Sequence, residues 1–219
     1  MPGQPAENTS GNVVVGIATP PKHTGCSRIE PMFSLRRPSA EHLAATLSAA
    51  RSEQPTYDGT GATAGGGNLP TGYRAAVVRR HVGSGQPVFD AAVAAVDSWA
   101  AQRHAGVEVY PPQARPAEGE TVVQLLRLGP LWATAACRIV YRLDEADRAG
   151  FAYGTLTGHP VRGEEAFLVE RDAAGVVRVR IAVFSRPNHW LVRLGGPVGR
   201  LVQRRTAGRY ADGIARAAR

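Results

Sequence analysis

Several residue types are scarce in this 219-residue chain, and each scarcity closes a class of function. There are two cysteines, Cys26 and Cys137, without CxxC spacing, so neither a disulfide framework nor a cysteine-built zinc site is expected. The six histidines, His23, His42, His81, His104, His159 and His189, show no HxH or HExxH spacing, and no metal or other cofactor is expected. No stretch approaches the roughly 20 apolar residues of a membrane span. The opening residues lack a charged segment followed by an apolar one, since Val13-Val14-Val15 is too short, so no signal peptide is expected. The expected setting is a reducing compartment, most simply the cytoplasm. Finger spacing, RNP-like aromatics and a helix-turn-helix pattern are all missing, so no specific nucleic-acid partner is expected. Lysine occurs once, at Lys22.

Apolar residues make up 43 %, enough to bury a sizeable core in one domain. The net charge of +8 is concentrated at the end of the chain, where residues 186–219 carry eight arginines and one acid, Asp212. Arg200, Arg204 and Arg209 offer weak contact to an anionic surface, or form a solvated helix face. Residues 1–30 are polar, rich in Pro and Gly and without periodicity, which predicts a disordered leader before a single domain over residues 31–219.

Within that domain the periods change repeatedly. Ser39 suits the cap of a short helix with Leu43 and Leu47 on one face. Residues 56–73, TYDGTGATAGGGNLPTGY, are rich in glycine, but no GK[ST] follows and no helix start is in place to face a phosphate, so a connecting loop is predicted. A strand over 73–82 is followed by a helix opened by Pro87, with Phe89, Val93, Val96 and Ala100 spaced for one face, Trp99 beside them and Gly106 as its stop. Six strands are then expected, at 107–110, 121–128, 131–143, 151–156, 166–170 and 176–185, with a hairpin at Gly129-Pro130. In the third of these, Ala133, Ala135, Cys137, Ile139, Tyr141 and Leu143 share one face, and Thr134, Arg138 and Arg142 the other. That alternation predicts a sheet covered on one side only. A terminal helix carries Trp190, Leu194, Val198, Val202, Thr206, Tyr210 and Ile214 as a stripe, interrupted at Gly195-Gly196-Pro197. The three segments of the domain are 31–72 (helix and Gly-rich loop), 73–188 (sheet with inserted helix) and 189–219 (terminal helix). The class is α+β.

A helix inserted after the first strand, a long meander and a C-terminal helix resemble the helix-grip order of START-like lipid-transfer domains, pollen-allergen-type proteins and polyketide cyclases. The segments FAYGTLTGHPVRGEEAFLVE, VFSRP (183–187) and GPVGRLVQRR closely resemble an uncharacterised family of bacteria and plants known only as a domain of unknown function. RRPS (36–39), TYDGTGAT (56–63) and the helix from Phe89 to Trp99 also look like that family, so the resemblance runs in order over residues 33–212. It implies a curved antiparallel sheet of six to seven strands packed on a long C-terminal helix. It brings no activity to carry over.

A cavity between such a sheet and helix would suit a small hydrophobic ligand, with Val183, Ile181, Phe167, Tyr141 and Trp190 lining it; alternatively the same side chains fill the space as core. The candidate ligand-binding residues are Tyr141, Tyr153, Thr155, His159, Glu165, Arg186 and Trp190. His159 is either a general acid or base or a turn-holding residue. Glu164 and Glu165 are adjacent in a strand and so face apart, one of them inward against Arg186. Gly154 and Gly158 suit a bulge or a close backbone approach. Ser185 with His159 or His189 lacks any nucleophile-elbow motif. Three functions compete: a ligand-binding protein, a cyclase- or hydrolase-like enzyme on the same cavity using His159 with Glu165 or Arg186, and a surface-docking protein using its Arg-rich helix.

Overall fold

The computed structural model describes residues 32–65, 70–188 and 196–219, with side chains of the last stretch described from residue 205. The expected leader, Trp190 and His189 lie outside the described residues. Two residues, β1 (Phe33–Ser34), precede helix α1 (Ala40–Ala50). Ser39 caps α1 by accepting from the His42 amide at 3.1 Å, and Leu43 and Leu47 are buried, as their spacing predicts. Strand β2 (Arg74–Ser84) then leads into α2 (Gln86–Asp97), with Pro87 at its start.

The predicted inserted helix is in fact two. Trp99 adopts a left-handed φ of 62° and separates α2 from α3 (Ala100–Ala105). The reason is tertiary: the indole Nε1 donates to the Ala114 carbonyl at 2.8 Å, and the ring packs edge-on against Phe151 at 5.0 Å. That anchoring overrides the local preference for a continuous helix. Gly106, at φ 79°, ends α3 as predicted.

Six strands follow: β3 (Val107–Tyr110), β4 (Thr121–Leu128), β5 (Leu131–Asp144), β6 (Arg148–Thr155), β7 (Val161–Arg171) and β8 (Val176–Pro187). The eight-stranded sheet has the order β2-β8-β7-β6-β5-β4-β3, with β1 added beside β5. Every pairing is antiparallel. The first long strand therefore lies beside the last, and α4 (Gly196–Ala217) packs against the face that the strands curve around. This is the helix-grip arrangement, α+β as expected. Among the described residues, no helix is long and apolar enough to cross a membrane.

The gripping face is lined by Ile139, Phe151, Phe167, Val179 and Ile181, all essentially inaccessible, packed against Phe89 and Val96 of α2 and against Ala207, Tyr210, Ala211 and Ile214 of α4. At about 25 cal/mol per Å² of apolar area removed from water, this cluster is the main source of stability. At Gly213 the backbone of α4 approaches α3 so closely that a Cβ would stand 2.5 Å from that of His104.

The opposite face is covered too, which corrects the expectation of a one-sided sheet. Leu43 and Leu47 of α1 pack on Val123 and Leu125. The Arg138 guanidinium does not face water. It donates to the carbonyls of Ala50, Arg51 and Glu53 at 3.1, 2.8 and 2.7 Å, at the end of α1 where carbonyls have no helical partner. The alternation in β5 also fails midway. A bulge between Ile139 and Tyr141 shifts the register, so Tyr141 and Leu143 join Ala152, Ala166 and Leu168 on the outer face. Arg142 crosses the other way and binds Asp97 of α2 at 2.7 Å.

Candidate functional site

The site begins with two consecutive residues of β7. Register pairs Glu164 with Gly154 and Phe184, and Glu165 with Tyr153 and Val183, so their side chains leave the sheet on opposite faces. On the outer face Glu164 is 2 % exposed. Its carboxylate accepts from the Tyr57 hydroxyl at 2.8 Å, the Gly61 amide at 2.7 Å, and the Thr63 amide and hydroxyl at 2.9 and 2.5 Å. Thr63 Oγ1 also lies 2.8 Å from the Tyr141 hydroxyl, and its carbonyl accepts from Arg180 at 2.9 Å. The Gly-rich loop therefore does cradle an anion with its amides, but the anion belongs to its own chain. Gly154 leaves the space this needs, because a Cβ there would stand 2.2 Å from the Tyr57 hydroxyl oxygen. Burial, followed by the charge of Glu164, pushes the Tyr57 hydroxyl far above its ordinary range.

On the gripping face Glu165 has fewer partners. Its Oε2 accepts from the Tyr153 hydroxyl at 2.5 Å, its one hydrogen bond to a described residue. Burial raises its carboxyl from the usual range to about 7, against the opposing hydrogen bond from Tyr153. Burial, and then the charge of Glu165, raises both Tyr153 and Tyr210, whose hydroxyls interact, and raises the Cys137 thiol as well. The three are therefore neutral at pH 7 and surround the carboxyl from β6, α4 and β5. The rings of Tyr153 and Tyr210 each pack on Phe167, at 5.3 and 5.2 Å. Glu165 itself is enclosed by protein deeply enough to titrate near neutrality, yet it is only half-buried by surface.

The remaining candidates do not converge on this point. Thr155 is buried and ties the end of β6 to β7 and to the loop: its hydroxyl accepts from the Gly163 amide at 3.0 Å and meets the Thr56 hydroxyl at 2.9 Å. His159 sits in the β6–β7 turn, its Nδ1 between the Val161 carbonyl at 2.9 Å and the Val161 amide at 3.1 Å. Burial lowers its pKa to about 4, so it is neutral at pH 7 and its described contacts are those of a turn-holding residue. Arg186 pairs with neither glutamate; it lies over the Tyr73 ring at 4.7 Å on the outer face. Tyr141 is on that face too, and Trp190 lies outside the described residues. Phe167 and Ile181 are fully buried and act as core.

Of the basic trio, Arg209 donates to the His104 carbonyl at 3.2 Å, closing the end of α3, and the Arg200 and Arg204 side chains are outside the description. Among the described residues, no cluster of His, Cys, Asp and Glu could hold a metal ion. Sequence reasoning missed Tyr57, Thr63 and Tyr210 as polar partners. The hydroxyls within TYDGTGAT are a usable signal for the first two, whereas the spacing of Tyr210 places it only within an apolar stripe.

A family model described as a domain of unknown function (DUF1990) matches residues 56–213. A UPF0548 protein of Deinococcus radiodurans is 38 % identical over 201 residues, covering 85 % of this chain and 99 % of the relative. A UPF0548 protein of Dictyostelium discoideum is 31 % identical over 192 residues, covering 78 % of this chain and 89 % of the relative. Among solved structures, the KanY protein (10 % identity, TM-score 0.48) is matched over 68 % of this chain and 99 % of its own. Ara h 8.0201 (15 % identity, TM-score 0.44) is matched over 67 % and 98 %.

Proposed function

The chain belongs to the DUF1990 family, a domain of unknown function, and from that premise we propose that it holds a small, largely hydrophobic molecule between the gripping face of the sheet and α4. One observation carries this reading. A carboxyl that burial raises to about 7 keeps open surface, and its described hydrogen bond is a single one, from Tyr153, beside Phe167 and Tyr210. Open surface at that depth implies a crevice, and a mostly apolar crevice with one polar anchor is the usual form of a small-molecule site.

The enzyme reading survives on Glu165 alone. A carboxyl poised near neutrality beside a tyrosine hydroxyl suits proton transfer, whereas His159 and Arg186, the partners expected from the sequence, have other contacts.

Titration with the neutral dye Nile red tests the binding reading. Saturable, blue-shifted emission with micromolar affinity is expected, together with a lipid-sized adduct in native mass spectra of freshly purified protein. Absence of both from well-folded protein would overturn it.

A further inference from the structure

We propose that the corner of the sheet where β1 meets the β4–β5 hairpin docks on an anionic membrane surface. This is independent of the ligand reading and uses other residues. Among the described residues three large apolar side chains are exposed, and two of them, Leu35 at 76 % and Leu128 at 42 %, stand at this corner. The register brings them together. Leu128 pairs with Leu131 across the Gly129-Pro130 turn, and Arg127 pairs with Trp132. Trp132 pairs on its other side with Ser34, one residue before Leu35. Leu131 and Trp132 are partly exposed, and Gly129 and Pro130 are exposed. The apolar surface is therefore carried on an open turn, and exposed apolar surface of this kind marks a contact site.

Its charge selects the occupant. Residues 32–39 and 125–133 hold three arginines, Arg36, Arg37 and Arg127, and no acid. All three are exposed. Arg37 and Arg127 lie over the Trp132 ring, 5.8 and 5.9 Å from its centroid, so two guanidiniums fix the indole beside the leucines. Glu108 of β3 bonds Arg37 at 2.5 Å, and with that acid counted the corner still carries two positive charges in excess. Leucines on a turn, a tryptophan at their base and arginines around it match the layers of an anionic bilayer. The leucines enter the acyl boundary, the indole sits at headgroup level and the guanidiniums meet phosphates. Protein interfaces favour aromatic anchors seated in pockets, whereas aliphatic side chains on an exposed turn suit a soft phase.

Vesicle co-sedimentation of the full chain tests the proposal, with phosphatidylcholine vesicles and with vesicles in which about a third of the lipid is phosphatidylglycerol. The wild type should sediment at least ten-fold more strongly with the anionic vesicles, and raising the salt from about 0.1 M to about 0.5 M should weaken that binding several-fold. One arginine near an anionic surface is worth about five-fold in affinity. Arg36→Gln with Arg127→Gln should therefore weaken binding at least five-fold. Leu35→Ser with Leu128→Ser, which leaves the charge unchanged, should weaken it by a similar factor. Arg79→Gln with Arg216→Gln removes two exposed arginines elsewhere and should stay within about two-fold of wild type. All six positions are exposed, so the variants should keep the wild-type melting temperature. Equal sedimentation with both vesicles, leucine variants that bind like wild type, or an equal loss in the Arg79/Arg216 variant would overturn the proposal. Failure of the wild type to bind either vesicle would overturn it too and would leave the corner to a protein partner.

Discussion

Glu164 and Glu165 are identical side chains one peptide apart, and their surroundings give them different chemistry. Among the described residues Glu164 accepts four hydrogen bonds and Glu165 one. Strand alternation makes their divergence legible in the sequence. Their partners were not legible, because Tyr57 and Thr63 lie about a hundred residues away and no periodicity reports such a contact. The Arg186 pairing failed for a simple reason of parity: Arg186 shares the outer face with Phe184 and Glu164, and the loop already occupies Glu164.

The two perturbed groups of this region also make a paired prediction. Glu165, raised to about 7, contributes stability that is fully present below its ordinary pKa near 4.5 and lost as pH rises through 7. His159, lowered to about 4, contributes stability that is present above its ordinary 6.5 and lost as pH falls toward 4. Between about pH 4.5 and 6.5 the two slopes oppose each other. Urea denaturation across that range should show Glu165→Gln gaining stability with pH relative to wild type, and His159→Gln losing it. Each difference is bounded by about 1.4 kcal/mol per pH unit and is smaller for groups that keep some solvent contact. Parallel profiles for all three proteins would refute both assignments.

At the scale of elements, the order of helices and strands was legible almost throughout, because burial on one face imposes periods of 2 and 3.6 on the sequence. The exceptions share a cause. The bulge at Ile139/Tyr141 and the helix break at Trp99 are set by tertiary contacts, not by local preference. The loop over residues 56–65 is the third case. Read alone it is a connection; on the sheet it is a latch whose bolt is Glu164. Replacing that carboxylate by an amide sets an NH2 group against some of the four donors. Glu164→Gln should therefore cost about 2–3 kcal/mol of unfolding free energy, with Tyr57→Phe costing about 1 kcal/mol. Both are measurable by chemical denaturation, and the first should also speed proteolysis within the loop. A Glu164→Gln protein as stable as wild type would show that the loop is held by its packing instead.

Taken whole, the molecule is a sheet clasped twice: by α2, α3 and α4 on one side, and by α1 and the loop on the other. The family's matched residues begin at 56, so α1 lies before the matched stretch although it covers Val123 and Leu125. Removing residues 1–65 would uncover Val123, Leu125 and the Glu164 carboxylate together. Such a protein should lose cooperative thermal unfolding and bind hydrophobic dyes nonspecifically, whereas the full chain should melt in one transition; a truncated protein with an unchanged melting temperature would refute a structural role for the outer layer.

The adjacent glutamates have one more consequence, for assembly of the sheet. If β7 paired with its neighbours one residue out of step, every one of its side chains would change face, so Glu165 would turn toward the loop while Phe167 and Val169 left the core. If it were two residues out of step, Arg162 or Ala166 would face the loop's donors. Only one alignment gives the outer carboxylate four donors and the inner one a tyrosine, so the Glu164-Glu165 pair acts as an alignment key that disfavours mispaired sheets.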